Sequence, residues 1–82
     1  MFNFTKDIAG IAFEFKTMHI KRLHAFQVYA LDEGIKKRFH LQLDTNREFR
    51  ITDPQSTPAA ILPLEKDLSY AIFEQAKALG VA

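Results

Sequence analysis

Arg38, His40 and Gln42 occupy alternate positions between Phe39, Leu41 and Leu43, and Arg50 holds the polar phase of the next run, between Phe49 and Ile51. Strand side chains alternate between two faces, so this spacing gathers guanidinium, imidazole and amide groups on one surface. Gln27 and Tyr29 take the corresponding phase of an earlier run, opposite Phe26 and Val28, and Lys36 and Lys37 add positive charge beside Arg38. Arg and Gln on such a surface can hydrogen-bond base edges or phosphates, while Tyr and His can stack on unpaired bases. Gln27, Lys36, Lys37, Arg38, His40, Gln42 and Arg50 therefore form a candidate nucleic-acid-binding set. The plainer reading carries more weight: the wet side of any antiparallel sheet is polar, and Lys and Arg there deter edge aggregation.

A second candidate lies near the C-terminus. Tyr70 and Phe73 are three residues apart, opposite the apolar stripe of a helical pattern and among Lys66, Glu74 and Lys77. Aromatic residues on a polar helix face suit an interface centre, so Tyr70, Phe73 and Lys77 are candidates for protein interaction or a homodimer contact. The competing expectation is that the segment from Thr52 to Leu62 folds across them.

Catalytic and metal signatures are weak. His19, His24 and His40 are the only histidines and there are no cysteines, which excludes disulfides and thiolate sites. The five-residue step from His19 to His24 does not place both on one helix face, so no metal site and no cofactor are expected. Gly10, Gly34 and Gly80 are too scattered for a phosphate-cradling loop, and Ser56 and Ser69 lack a nucleophile-elbow context. Glu65 and Asp67 are explained by a helix start. A nuclease or hydrolase centred on His40 is the least favoured reading.

The elements that position these residues follow from periodicity. Strands are expected over about 24–31, 35–43 and 47–52, joined by turns at Asp32-Glu33-Gly34 and Asp44-Thr45-Asn46. A C-terminal helix is expected over about 63–79, with Pro63 at its start, Leu64, Leu68, Ala71, Ile72, Ala76 and Leu79 facing inward, and Gly80 beyond its end. Residues 6–22 read two ways. Over the whole window Ile8, Ile11, Ala12, Phe15, Met18 and His19 line one side of a helix that Thr5 could cap. Read locally, Ile11 to Lys16 alternates as a strand does. The helix is preferred because no Gly, Pro or Asn turn stands between residues 16 and 24.

The expected fold is thus α+β: a three-stranded antiparallel meander with an N-terminal and a C-terminal helix on one face, or alternatively a four-stranded sheet plus one helix. The order helix, three strands, helix is that of double-stranded-RNA-binding domains. Their lysine-rich second-helix start is absent from Pro63-Leu64-Glu65-Lys66-Asp67-Leu68, so membership is not read. Eighty-two residues suit a single small domain whose 48% hydrophobic residues, eight of them Phe, supply a core. A net charge of +1 favours no partner by bulk attraction. No signal peptide or spanning helix is read, and the lack of cysteine fits the cytoplasm. The matched acceptor pattern Asn3-Phe4-Thr5 is taken as chance. The function expected is that of a small non-enzymatic binding or interaction domain that self-associates, with nucleic-acid binding on the polar sheet face as the alternative.

Overall fold

The computed structural model describes residues 3–17, 24–32 and 34–80. They form an α+β fold with five strands in one antiparallel sheet: β1 (Asn3–Ile8), β2 (Ile11–Thr17), β3 (Ala25–Asp32), β4 (Ile35–Leu43) and β5 (Phe49–Ile51). Each strand pairs with its neighbour in sequence, giving the order β1-β2-β3-β4-β5. Short 3-10 turns at Pro54–Ser56 and Leu62–Leu64 lead to one helix, α1 (Glu65–Leu79).

The expected helix over 6–22 is overturned. Its first part is the hairpin of β1 and β2; residues 18–22 of that span lie outside the described residues. The reason is a two-residue turn at Ala9-Gly10, whose φ values of 54° and 80° are those of a type I′ connection. Ala9 takes the left-handed conformation without being glycine, so the turn is carried by the pairing of its strands rather than by its own preference. Phe13, which lay off the helical stripe, is 1% exposed on the inner face of β2. The four-stranded alternative was nearer, and β1 is the strand it lacked. Without an N-terminal helix the described chain also lacks the helix-first order of double-stranded-RNA-binding domains.

The central hairpin agrees with expectation, since β4 spans Ile35–Leu43 and pairs Val28 with Phe39 and Phe26 with Leu41. β5 is shorter than its alternation suggested. Arg47, at φ 61°, belongs to the connection, where Asp44 N–H donates to the Glu48 carbonyl at 2.9 Å and Arg47 N–H to the Asp44 carbonyl at 3.2 Å. This is a three-residue hairpin loop closed by a left-handed residue.

Phe13, Phe15, Phe26, Val28, Phe39, Leu41 and Phe49 bury the inner face of the sheet, and Leu68, Ile72 and Ala76 of α1 cover it. Phe4 stacks on Phe15 with ring centres 4.4 Å apart, and Phe26 meets Phe49 edge-on at 5.5 Å. Burying five Phe side chains to within 1% contributes about 2–3 kcal/mol of apolar transfer energy for each. Ile61, from the loop before the helix, closes the same core. Leu79, expected inward, is exposed in the last turn. Gly80 ends the helix at φ 72°, its N–H donating to the carbonyl of Lys77.

The two outer strands end differently. Along β5 the N–H groups of Phe49 and Ile51 point away from β4, and α1 takes both: Phe49 N–H donates to Ser69 Oγ at 3.0 Å and Ile51 N–H to Glu65 Oε2 at 2.9 Å. No element of the described chain pairs with the outward edge of β1.

Candidate functional site on the open sheet face

α1 covers one face of the sheet, and no described helix covers the other. Register sets the rows of this outer face. Thr5, Glu14, Tyr29 and Arg38 form one row across β1 to β4; Asn3, Lys16, Gln27 and His40 form the next. Gln42 pairs with Arg50 at the β4–β5 end. Five of the sequence-selected residues, Gln27, Lys36, Arg38, His40 and Gln42, therefore do share a surface with Tyr29.

Two selected cations do not serve that surface freely. Lys37 pairs with Ala30 and takes the opposite phase, on the helix-side face. Arg50 sits in a cage of carboxylates, with Nε 3.1 Å from Asp44 Oδ2, Nη1 3.2 Å from Glu65 Oε1 and Nη2 3.7 Å from Glu48 Oε1. These contacts, led by the hydrogen bond that Arg50 donates to Asp44, raise its already high pKa. Arg50 thereby ties the β4–β5 turn to the start of α1. Asp44 Oδ1 accepts the N–H groups of Asn46 and Glu48, both at 2.9 Å, and the bond from Glu48 foremost, helped by Arg50, holds its carboxyl below the usual value of 3.8.

The middle of the face is organised around Tyr29, half-buried between two lysines. Lys36 Nζ lies 4.8 Å and Lys16 Nζ 5.4 Å from its ring centre, within cation–π reach. Lys36 also approaches Glu14 Oε1 at 3.5 Å, longer than a good N–H···O bond, and that oxygen is enclosed without a hydrogen bond. Thr5, Ala12, Glu14, Tyr29, Leu31 and Lys36 line a shallow depression of about 260 Å³ here. Leu31 is 52% exposed at its rim. Among the described residues no carboxylate makes an ion pair with Lys16 or Arg38. Lys16 and Glu14 escaped the sequence reading because the helix assignment hid their phase; the alternation Ile11-Ala12-Phe13-Glu14-Phe15-Lys16 was the signal for both.

His40 is oriented by Asp53, whose carboxylate accepts the His40 backbone N–H at 3.2 Å and stands 3.6 Å from Nδ1. The Thr57 hydroxyl donates to the Asp53 carbonyl at 2.9 Å. The contacts pin the loop after β5 to β4, and the Thr52 hydroxyl is directed toward Asp53 Oδ1 at 3.5 Å. Among the described residues, no group of three or more His, Asp or Glu is placed to hold a metal ion, and no helix is long and apolar enough to cross a membrane.

The helix candidate separates. Phe73 is half-buried at the margin of the core, its ring centre 5.4 Å from that of Phe49, because α1 lies close along β5. Tyr70 is 67% exposed and donates its hydroxyl to Glu74 at 3.2 Å, which raises its phenol pKa. Lys77 is exposed in the last turn. The three do not form one aromatic patch.

Comparison with known proteins finds no family model, no curated protein and no solved structure that matches this chain.

Proposed function

We propose that this chain is a small non-enzymatic binding domain whose working surface is the open face of its sheet, and that the partner is anionic. The observation that supports this is the arrangement around Tyr29: Lys16, Lys36 and Arg38 converge on a face that no described element covers, with Glu14, among the described residues, the one carboxylate paired with them. Cations held beside a ring are preorganised, so less side-chain entropy is lost when a partner arrives. Amide-resolved NMR titration with two probes, a single-stranded oligonucleotide and poly-glutamate, tests the reading at low salt. Shifts concentrated on Lys16, Gln27, Tyr29 and Arg38 are expected with at least one probe. Shifts confined to α1, or none at millimolar probe, would overturn it.

Nucleic acid is the specific form of this reading that the amide of Gln27 favours, since it lies beside Lys16 and can hydrogen-bond bases. The ring of Tyr29 is already flanked by lysines, so phosphate contact rather than stacking would dominate. Oligonucleotide binding would then weaken steeply with salt, and Arg38→Ala would reduce it several-fold and flatten the salt dependence by about one phosphate contact.

A further inference from the structure

The outward edge of β1, with which no described strand pairs, offers a surface distinct from the open face. The residues that flank a two-residue antiparallel turn exchange both backbone hydrogen bonds, so Ile8, Lys6 and Phe4 direct their N–H and C=O groups toward β2. The bond from Thr17 N–H to Asn3 Oδ1 at 3.0 Å agrees with this phase, because Thr17 follows Phe13 and Phe15 in pointing toward β1. The backbone groups of Asn3, Thr5 and Asp7 consequently point outward from the sheet. Beside this edge, on the helix side, runs a groove of about 340 Å³ lined by Phe4, Lys6, Ile8, Asp67, Ala71 and Glu74, among others.

We infer that the occupant of this edge is β1 of a second copy, paired antiparallel about a two-fold axis at Thr5. Three constraints, together with the longest overlap of the strand, select that register. Both copies must keep their buried faces on the same side, so partners must share a phase. The hydrogen-bonded pairs must be made by the outward residues, which gives Thr5 with Thr5 and Asn3 with Asp7. Like charges must not oppose one another. Moving the axis to Lys6 meets the first two requirements but sets Lys6 against Lys6, and moving it to Phe4 overlaps only residues 3–5 of the strand where the axis at Thr5 overlaps 3–7. With the axis at Thr5, Lys6 of the second copy stands opposite Phe4, over the groove whose helix wall carries Asp67 and Glu74. The lysine that would repel an arbitrary apolar strand is thus the group that selects this one. The two sheets become one of ten strands with both helices on the same side, and the open face is continuous across the pair.

The chain has no cysteine, which permits a direct test. Cα atoms of a hydrogen-bonded antiparallel pair lie about 5.5 Å apart, within disulfide reach. Sedimentation should show the wild-type chain as a dimer at high micromolar concentration. Thr5→Cys should cross-link to a dimer on mild oxidation, while Asp7→Cys, which faces Asn3 of the other copy, should not. Thr5→Pro removes an outward N–H without touching a bond to β2, and should shift the dimer to monomer at least tenfold in concentration while keeping native circular dichroism. A strict monomer, cross-linking at Lys6→Cys in preference to Thr5→Cys, or a dimer indifferent to folded Thr5→Pro would each overturn the proposal. None of these outcomes bears on anion binding at the open face, which the NMR titration reads separately.

Discussion

Asp44 shows how one side chain can hold a turn that its backbone does not favour. Arg47 must adopt a positive φ there, and Asp44 offsets this by accepting two N–H groups and an arginine. These bonds favour the ionised carboxylate, so its pKa in the folded chain lies below that in the unfolded chain. The stabilisation is therefore fully present above the ordinary carboxylate pKa and is lost as pH falls through the lower folded value. Thermal melts of the wild type should show a falling Tm as pH drops from about 5 toward 2.5, and Asp44→Asn should show a shallower fall over the same window. Equal slopes would mean that other carboxylates control acid unfolding. The role of Asp44 in a turn was readable from Asp44-Thr45-Asn46; its partnership with Arg50 was not, because it depends on a strand reversing direction. The same partnership removes Arg50 from the set of free cations.

At the scale of elements, α1 both roofs the core and supplies polar atoms to a strand. Ser69 is 7% exposed, and its hydroxyl accepts the Phe49 N–H. Ser69→Ala leaves that donor buried without a partner and should cost about 1–3 kcal/mol, read as a lower urea midpoint at unchanged m-value. A change below about 0.3 kcal/mol would show that water reaches the strand edge. The sequence placed β3, β4 and α1 well because Phe26, Val28, Phe39 and Leu41 keep strict alternation and Gly80 marks a helix end. It failed at β1 and β2 for a physical reason. Ile8, Ile11, Ala12 and Phe15 satisfy a helical stripe as well as a strand phase, and only long-range pairing with β3 decides between them. Ala9-Gly10 is a weak turn signal, since alanine rarely takes the conformation it holds here. The candidate surface suffered accordingly: its β3–β4 half was legible, while Lys16 and Glu14 were hidden by the wrong period.

On the scale of the whole molecule, the two faces and two edges of the sheet have separate tasks. One face is the core, the other is the proposed binding surface, one edge is closed by α1, and with the other no described element pairs. A sheet with two open edges can add strands from both sides, which is the geometry of a growing fibre. In the proposed dimer, addition at β1 is self-complementary and uses the edge with which no described element pairs, so assembly would end after a single step. Glu65→Ala combined with Ser69→Ala should remove that terminus. Light scattering at high micromolar concentration should then rise with time for the double variant and stay flat for the wild type and for a double variant that also carries Thr5→Pro. The two bonds from Phe49 and Ile51 to the helix are small terms in the stability of one molecule, but for a population of molecules they act as a chain terminator.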